Sequence, residues 1–331
     1  MTPLDVAVVT NCHLRRNTGS STVAIIGCGL ARSHRIWIAS PSDLSLRTGG
    51  LGTGSGFVRV DHVEPPFGIA LGTEPVVRRH FSGFDAVLMR VQPPVDMEYV
   101  AACNILAATY APSTLFVNDP GAIVLHPEKV FPLAYPDLHP PTIVTACLDD
   151  LLAFLAENKE VVVKPLYEYQ GRKVQHLSLG DPEALHVLNE MTGSGATPVV
   201  LQKYIVGAES GDRRVFLIDG IPVGCLVRVP QPGSFVANLH AGATPVRAEI
   251  TMRDCEIAER IAPDLVGAGL IFVALDIVGG YLIEIGTTSP TGLVQIREKC
   301  GVDIAGLLWD RIEASVGDQR HERHLLRPIT R

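Results

Sequence analysis

The feature that most constrains this chain is a pair of short apolar runs near its C-terminal end, each carrying one carboxylate. The first run, 270–278, contains Asp276, and the second, 281–286, contains Glu284, with two glycines between them that predict a tight hairpin turn. A buried charge is costly unless it is compensated, and two neighbouring carboxylates favour a hard divalent cation that prefers oxygen ligands. The alternative is an edge hairpin with both acids turned to water.

Bulk composition limits the classes of function. The chain has 331 residues, 47% of them hydrophobic and 19% charged, which predicts two or three folded domains. No apolar run is long enough to cross a membrane and no signal-peptide pattern opens the chain, so we expect a cytoplasmic protein without a membrane partner. A net charge of -7 argues against nucleic acid as a partner. The seven scattered cysteines, without C-x-x-C spacing, are expected to be buried thiols: Cys12, Cys28, Cys103, Cys147, Cys225, Cys255 and Cys300.

The first third of the chain has the pattern of a parallel α/β sheet. A strand at 6–10, a helix at 20–32 and a strand at 35–39 predict a right-handed crossover. Gly27 and Gly29 suggest a dinucleotide loop, but we reject this because they fall inside the helical stretch and a third glycine is missing. The glycine-rich patch 49–56 is expected to be a connecting loop.

A later strand, 85–90, ends on Arg90, at the sheet edge where open α/β sheets bind ligands. Lys164 lies in the β-branched strand 161–165 and is either an exposed edge residue or turned toward an anion; the pattern leaves both open. Arg214 and Arg228 flank a hairpin with an Asp-Gly turn, and a loop of small and polar residues follows it. Cations followed by paired acids suit a nucleoside triphosphate held by basic side chains and metal ions, although no Walker loop or kinase motif is present.

The chain resembles the ATP-grasp ligases, and among them the bacterial glutathione synthetases, from about residue 5 to about residue 316. The residues that carry the resemblance are Leu88, Met89 and Arg90 with Pro93, Pro94 and Asp96; Asn118 with Pro120; Glu128 and Lys129; Lys164, Pro165 and Leu166; Gly211 and Asp212 with Arg214 and Val215; Asp219 and Gly220 with Pro222 and Val223; Arg228 with Pro230; Asn238 and Leu239 with Ala241 and Gly242; 269–273 and 275–277; Glu284 and Ile285; and 288–291.

The resemblance implies a mixed α/β and α+β architecture, the ATP-grasp fold preceded by a Rossmann-like preATP-grasp domain. The implied segments are that domain at 1–123, a small lobe at 124–201, a C-terminal lobe at 202–318 with a lid loop at 230–245, and a tail at 319–331. It also implies that a small-molecule acid is phosphorylated to an acyl phosphate, which a small-molecule amine attacks to give an amide. ATP and Mg²⁺ are the implied cofactors, and the chain is expected to form a homo-oligomer.

Site residues are carried over position by position. The resemblance implies that Lys129 and Lys164 contact the ATP phosphates and that the backbone around Lys203, Tyr204 and Ile205 meets adenine. It implies that Arg214 and Arg228 stabilise charge on the transferring phosphoryl group. It also implies that Asp276 and Glu284 hold magnesium. Arg90, Asn238 and Ser289 are the predicted substrate-binding residues.

Four departures from the family pattern stand out. Gly286 replaces an asparagine that completes the metal ligands, and 167–173 replaces a glycine-rich phosphate loop, with Arg172 or Lys173 as possible substitutes for its amide donors. The lid stretch 234–237 has lost polar residues and an arginine. Ser210 stands where an acid would meet the ribose, and the neighbouring Glu209 could substitute for it.

Three functions compete. The first is an ATP-dependent carboxylate-amine ligase that is related to glutathione synthetase but joins other substrates. The second is a degenerate ATP-grasp protein that binds a nucleotide or a partner without turnover, to which Gly286 and the altered loop point. The third is glutathione synthetase itself. The sequence names neither the acid nor the amine.

Overall fold

A computed structural model describes residues 2–11, 20–64, 68–72, 75–168 and 171–325 of the protein, and within them the strands form three sheets. The expectations for Cys12, Tyr169, Gln170 and the last residues, 326–331, lie outside the described residues.

The first sheet has a parallel centre, as predicted. Its strands are β1 (Asp5–Val9), β2 (Arg35–Ala39), β3 (Leu44–Arg47), β4 (Leu51–Glu64), β5 (Gly68–Leu71), β6 (Val77–His80), β7 (Ala86–Met89) and β8 (Leu115–Val117). The order β2-β1-β7-β8 is parallel throughout, and β4 pairs antiparallel with β2 at the other side. The predicted strand, helix, strand order with parallel strands is confirmed, and the right-handed sense of the crossover stays a prediction. Helix α1 (Ser21–Ala31) follows β1 and precedes β2, and it begins where the side chain of Ser20 accepts a hydrogen bond from the backbone of Val23.

The glycine-rich patch 49–56 is not a connecting loop, which corrects the prediction. Most of it belongs to β4, where added side chains would collide with neighbours. A Cβ on Gly52 would lie 1.9 Å from the Thr109 hydroxyl, and one on Gly56 would lie 2.3 Å from the carboxyl carbon of Asp43. Glycine is used here for close approach of other groups to the strand and not for chain flexibility.

The second sheet is antiparallel and has a core of its own. Its strands β9 (Thr142–Thr145), β10 (Glu160–Pro165), β11 (Gln175–Ser178) and β12 (Val199–Lys203) follow the order β11-β10-β12-β9. Helices α4 (Leu148–Asn158) and α5 (Ala184–Met191) cover one face of this sheet. Two earlier helices, α2 (Met97–Ala107) and α3 (Pro120–Leu125), precede it in the chain and belong with the first sheet. A cluster of buried side chains from α4, α5 and this sheet is separate from the other clusters. The predicted boundary between lobes at 201 falls inside β12.

The third sheet carries both predicted hairpins. Strands β13 (Asp212–Ile218), β14 (Ile221–Val229), β15 (Thr244–Arg247), β16 (Phe272–Val278) and β17 (Tyr281–Gly286) are antiparallel, in the order β15-β14-β13-β16-β17. Helices α6 (Met252–Gly267), α7 (Leu293–Cys300) and α8 (Ile304–Leu325) complete the fold. In the described ranges, no helix combines the length and apolar character that crossing a membrane requires.

Two large clusters of buried side chains contain residues from both the first and the third sheet. In one of them, Trp309 of α8 is fully buried and its indole N–H donates to the carbonyl of Ile25 in α1, at 2.8 Å.

The last helix runs to residue 325, ten residues further than predicted, so the segment expected to be a tail begins as helix. The described cysteines are free thiols, but Cys147 is exposed, contrary to the expectation of burial.

Gly29 provides a test of this packing. A Cβ on Gly29 would lie 2.3 Å from the Trp309 ring, and overpacking of a core typically costs about 1–3 kcal/mol, so Gly29→Ala should lower the free energy of unfolding by that amount in urea denaturation. Gly317→Ala is the matched control, because Gly317 also lies in a helix but has open space around its Cβ position; it should be neutral or stabilising by about 0.5–1 kcal/mol. Equal stability of the two variants would contradict the packing argument.

Candidate active site

An open cleft is lined by strands of the second and third sheets and by loops from the first. Its empty volume, counted out to solvent, is about 1380 Å³. The described lining includes nearly all of the predicted site residues.

One end of the cleft is apolar. Val162 of β10, Val278 of β16 and Ile283 of β17 line it, together with Val174 and Ile205. Tyr204 lies at the same end, where its ring contacts the ring of Phe235 from the predicted lid, with centroids 6.0 Å apart. An apolar lining of this kind suits the faces of a flat ring system, and backbone groups can bond to the edge of such a ring.

The other end contains a buried network of two arginines and two aspartates on neighbouring strands. The β13–β16 register pairs Arg214 with Asp276, and the β13–β14 register pairs Asp212 with Arg228. Arg214 donates to both carboxylate oxygens of Asp276, each at 2.8 Å, and Arg228 contacts one of them, also at 2.8 Å. Arg228 also forms a bidentate salt bridge with the carboxylate of Asp212.

The network fixes the charge of Asp276. Burial opposes ionisation of this carboxyl, but the positive charges of Arg214 and Arg228 outweigh burial and hold its pKa well below the usual range. Because Asp276 is only 5% exposed, the alternative of an edge hairpin with both acids in water is wrong for this residue. Glu284 lies directly opposite Asp276 in the β16–β17 register and lines the cleft, so the predicted hairpin with two adjacent acids is confirmed.

Asp276 and Glu284 suit a hard cation whose remaining ligands come from water and from the substrate. Among the described residues, no group of three or more His, Cys, Asp or Glu side chains is arranged to hold a metal ion. Asp276 already accepts hydrogen bonds from two arginines, which leaves Glu284 as the main protein ligand available in the cleft. Mg²⁺ typically binds one or two carboxylates and completes its shell with water and substrate phosphates, and this limited ligand set is compatible with that behaviour.

The two predicted lysines both reach the cleft. Lys164 lies on β10, which is flanked by β11 and β12, so the alternative of an exposed edge residue is wrong. Its ammonium donates to the side chain of Gln202 at 2.7 Å. Burial lowers the pKa of Lys164 to about 8. Lys129 donates to two backbone carbonyls, those of Leu166 (3.3 Å) and Glu168.

The predicted adenine region follows β12. Lys203, Tyr204 and Ile205 all line the cleft. The Tyr204 hydroxyl donates to the carboxylate of Glu209 at 2.9 Å, and Glu209 itself is outside the cleft lining. A role of Glu209 toward a ribose therefore stays a prediction.

The predicted substrate-binding residues differ in position. Asn238 and Ser289 line the cleft, whereas Arg90 is buried behind it and donates to the backbone carbonyl of Pro290 at 3.0 Å. The Ser289 hydroxyl is buried and lacks a hydrogen-bond partner within the described part of the protein. A buried hydroxyl without a partner is costly, so this group has capacity to bind a ligand.

The predicted lid closes over the substituted phosphate loop. The side chain of Gln231 donates to the carbonyl of Gly242, which joins the two ends of the lid. A Cβ on Gly171 would lie 2.3 Å from a methyl group of Val236, so the lid packs on the one glycine that this loop retains. An apolar residue of the predicted lid, Val236, therefore contacts this loop directly.

Sequence reasoning gave no role to three residues that line the cleft, Glu128, Asp212 and His240. Glu128 accepts hydrogen bonds from the backbone and hydroxyl of Thr288, at 3.1 and 2.7 Å, and burial together with the charge of Glu284 raises its pKa to about 7. Glu128 and Asp212 match the family pattern, but nothing in the sequence around them indicates a role for either side chain. His240 has no local sequence signal, because its importance depends on what surrounds it in three dimensions.

The comparisons with known proteins agree with this arrangement. The model of the N-terminal domain of prokaryotic glutathione synthetase matches residues 4–123, and the model of its ATP-grasp domain matches residues 128–301. The chain belongs to the prokaryotic glutathione synthetase family. A glutathione synthetase of Brucella melitensis biotype 1 is 37% identical over 297 residues, covering 90% of this chain and 94% of the relative. One of Agrobacterium fabrum is 35% identical over 297 residues, covering 89% and 91%.

The ATP-grasp fold is confirmed by solved structures. The crystal structure of the D-cycloserine synthetase DcsG matches with a TM-score of 0.63 at 18% identity, covering 93% of this chain and 99% of that protein. At this identity the similarity shows the fold alone. Together with the family membership, it makes this prokaryotic glutathione synthetase homologue an ATP-dependent ligase that forms a carbon–nitrogen bond.

The ionisation of Lys164 predicts how nucleotide binding depends on pH. With a pKa of about 8, this lysine is charged at pH 7 and mostly neutral at pH 9, so affinity for a non-hydrolysable ATP analogue should weaken about tenfold between these values. Lys164→Arg keeps its charge over this range and should show a much smaller loss. Calorimetric titration at several pH values measures both proteins. Affinity of the wild type that is constant from pH 7 to 9 would argue against a role of Lys164 with phosphate.

Proposed function

We propose that the protein joins γ-glutamylcysteine to glycine and uses ATP and Mg²⁺ to do so. The observation that carries the proposal is the single cleft in which Lys129, Lys164, Arg214 and Glu284 meet, in a chain whose relatives over nearly their full length are glutathione synthetases. A non-catalytic role is disfavoured, because a protein that only bound a partner would not need these charged groups together in one cleft.

The nucleotide would span the cleft. Its base fits the apolar end, against Val162 and Val278, with the backbone around Tyr204 at its edge. Its phosphates then extend toward Lys129 and Lys164, whose ammonium groups can exchange their hydrogen bonds to protein oxygens for stronger ones to phosphate oxygens.

The buried network lies where a phosphoryl group would pass to the acid. Arg214 and Arg228 present fixed positive charge that requires no reorganisation during transfer. Mg²⁺, held mainly by Glu284 with Asp276 next to it, would neutralise charge on the phosphates during this step. The solved structure of PsnB with minimal precursor, Mg and ADP, which shares the fold (TM-score 0.58, 18% identity), is compatible with such a requirement.

The acid substrate becomes an acyl phosphate, and the amine then attacks its carbonyl carbon. Water would destroy this intermediate, so the cleft has to be covered while the intermediate exists. The lid at 230–245 is suited to this task, because Phe235 reaches Tyr204 and Val236 packs on Gly171. Asn238 and the unpartnered Ser289 hydroxyl are positioned to bind the polar groups of the substrates.

A second candidate is a ligase of the same chemistry with a different acid and amine. The observation that favours it is the lid stretch at 234–237, since Phe235 and Val236 line the cleft and their side chains offer no hydrogen-bonding group to a polar substrate. The predicted homo-oligomer and the predicted cytoplasmic location stay predictions.

A direct assay separates the two candidates. Purified protein with ATP, Mg²⁺, γ-glutamylcysteine and glycine should release one ADP for each glutathione formed, measured by coupled absorbance and mass spectrometry. Asp276→Asn is the matched control: it keeps the shape that the two arginines contact but loses the charge, and we expect activity to fall by about 10²–10³-fold. ADP release with another acid and amine, but none with this pair, would favour the second candidate.

The magnesium requirement can be measured apart from turnover. Binding of a non-hydrolysable ATP analogue should be strengthened by Mg²⁺ in the wild type, and Glu284→Gln should remove most of this gain in calorimetric titration. Gly286→Asn should increase the gain, because an amide oxygen would join the carboxylate ligands.

Gly286→Ala is the control for the added side chain. A Cβ at this position would lie 3.3 Å from the carbonyl oxygen of Ala274, so both variants share the same steric cost. An equal effect of Mg²⁺ on the alanine and asparagine variants would argue against a metal next to residue 286. Retention of the full gain in Glu284→Gln would argue against the metal assignment as a whole.

A further inference from the structure

The tip of the lid presents a histidine to the cleft. His240 lies in the short helical turn Leu239–Ala241, which begins where the side chain of Asn238 accepts a hydrogen bond from the backbone N–H of His240, at 2.9 Å. The backbone of Ala243 bonds back to the carbonyl of Asn238 at 3.0 Å, which closes the turn. The backbone of His240 is therefore fixed by local bonds while its side chain lines the cleft.

Amide formation needs a proton acceptor in this cleft. An amine substrate is mostly protonated at neutral pH, and its nitrogen can attack a carbonyl carbon only when it has lost a proton. Lysine and arginine side chains are poor acceptors, since they carry protons themselves. Among the acids that line the cleft, Asp276 and Asp212 are paired with arginines, and Glu128 accepts hydrogen bonds from Thr288. Glu284 is the proposed metal ligand, and the carboxylate of Glu168 belongs to a class of weaker bases than imidazole. His240 is the only histidine in the described lining of the cleft.

The surroundings of His240 keep its imidazole neutral. His240 is exposed in part, but partial desolvation at the cleft and the positive charges of Arg214, from the third sheet, and Arg172, from the segment after β10, lower the pKa of its imidazole. The free imidazole therefore has a lone pair available at neutral pH. Bound phosphates would offset the charge of the two guanidinium groups, so protonation of His240 becomes easier when a nucleotide or an acyl phosphate occupies the cleft.

We propose that His240 is the general base that accepts the proton of the attacking amine. The ammonium group of the amine substrate first passes one proton to a ring nitrogen of His240, and the freed lone pair attacks the acyl carbon. The second N–H proton passes to the departing phosphate as the amide forms. The bond between the acyl carbon and the phosphate oxygen then breaks, its electron pair leaves with phosphate, and His240 releases the proton to solvent when the lid opens. The inference rests on the ligase reaction proposed above and concerns its second half-reaction.

Hydroxylamine distinguishes this role from others, because it is unprotonated at neutral pH and attacks acyl phosphates without a base. The protein is incubated with ATP, Mg²⁺ and γ-glutamylcysteine, and either glycine or hydroxylamine is added. We expect His240→Ala and His240→Gln to lower the rate of amide formation with glycine by about 10²-fold, while hydroxamate formation stays within about threefold of the wild type. Added imidazole should restore part of the glycine reaction in the alanine variant.

The controls distinguish the role of His240 from the ligase reaction itself. His186→Ala removes an exposed histidine on α5 and should leave both rates unchanged. Equal loss of both reactions in the His240 variants would show that His240 acts on phosphoryl transfer or on the lid, and unchanged rates would show that it has no catalytic role; either result overturns the inference. A wild type that forms glutathione and hydroxamate supports the ligase reaction whatever the variants do, and a wild type that forms neither overturns both proposals.

Discussion

The site depends on a balanced set of four buried charges in the third sheet. Two guanidinium groups and two carboxylates occupy cross-strand positions on β13, β14 and β16. Asp212, Arg228 and Asp276 are buried and Arg214 is partly exposed at the cleft, and each charge has a partner of opposite sign. Removing one partner of such a set typically costs about 3–5 kcal/mol, because the remaining charge stays buried without compensation. The balance also leaves Asp276 ionised and Arg214 held in one orientation at the wall of the cleft.

The first sheet holds this wall in place. Asn118, which follows β8, bonds through its side chain to both the backbone N–H and carbonyl of Phe272 and to the carbonyl of Thr287, at 2.7–2.8 Å. Arg90 reaches the carbonyl of Pro290 in the same way. The N-terminal domain therefore supports the ends of the strands that carry the acids, and Arg90 serves in the structure as part of that support.

Local sequence patterns predicted most of the helices and strands discussed here. The features that these patterns missed depend on residues that are distant in sequence. Alternating apolar residues around a Gly-Gly turn identify the hairpin of Asp276 and Glu284, since everything needed lies within 20 residues of sequence. For Lys164 the pattern left two alternatives, because it cannot tell which strands flank β10. The patch at 49–56 was misassigned because Thr109 and Asp43, which require its glycines, lie outside the pattern. Arg90 meets a carbonyl 200 residues away, and nothing near it in sequence indicates that.

The separate core of the second sheet has a consequence for how the protein opens. Residues such as Leu151 and Val163 pack only within their own cluster, whereas the first and third sheets share theirs. Units with separate cores exchange their amide hydrogens at different free energies. We therefore expect the second sheet to open as a cooperative unit of its own, and a ligand bound between it and the third sheet to link the stabilities of the two units.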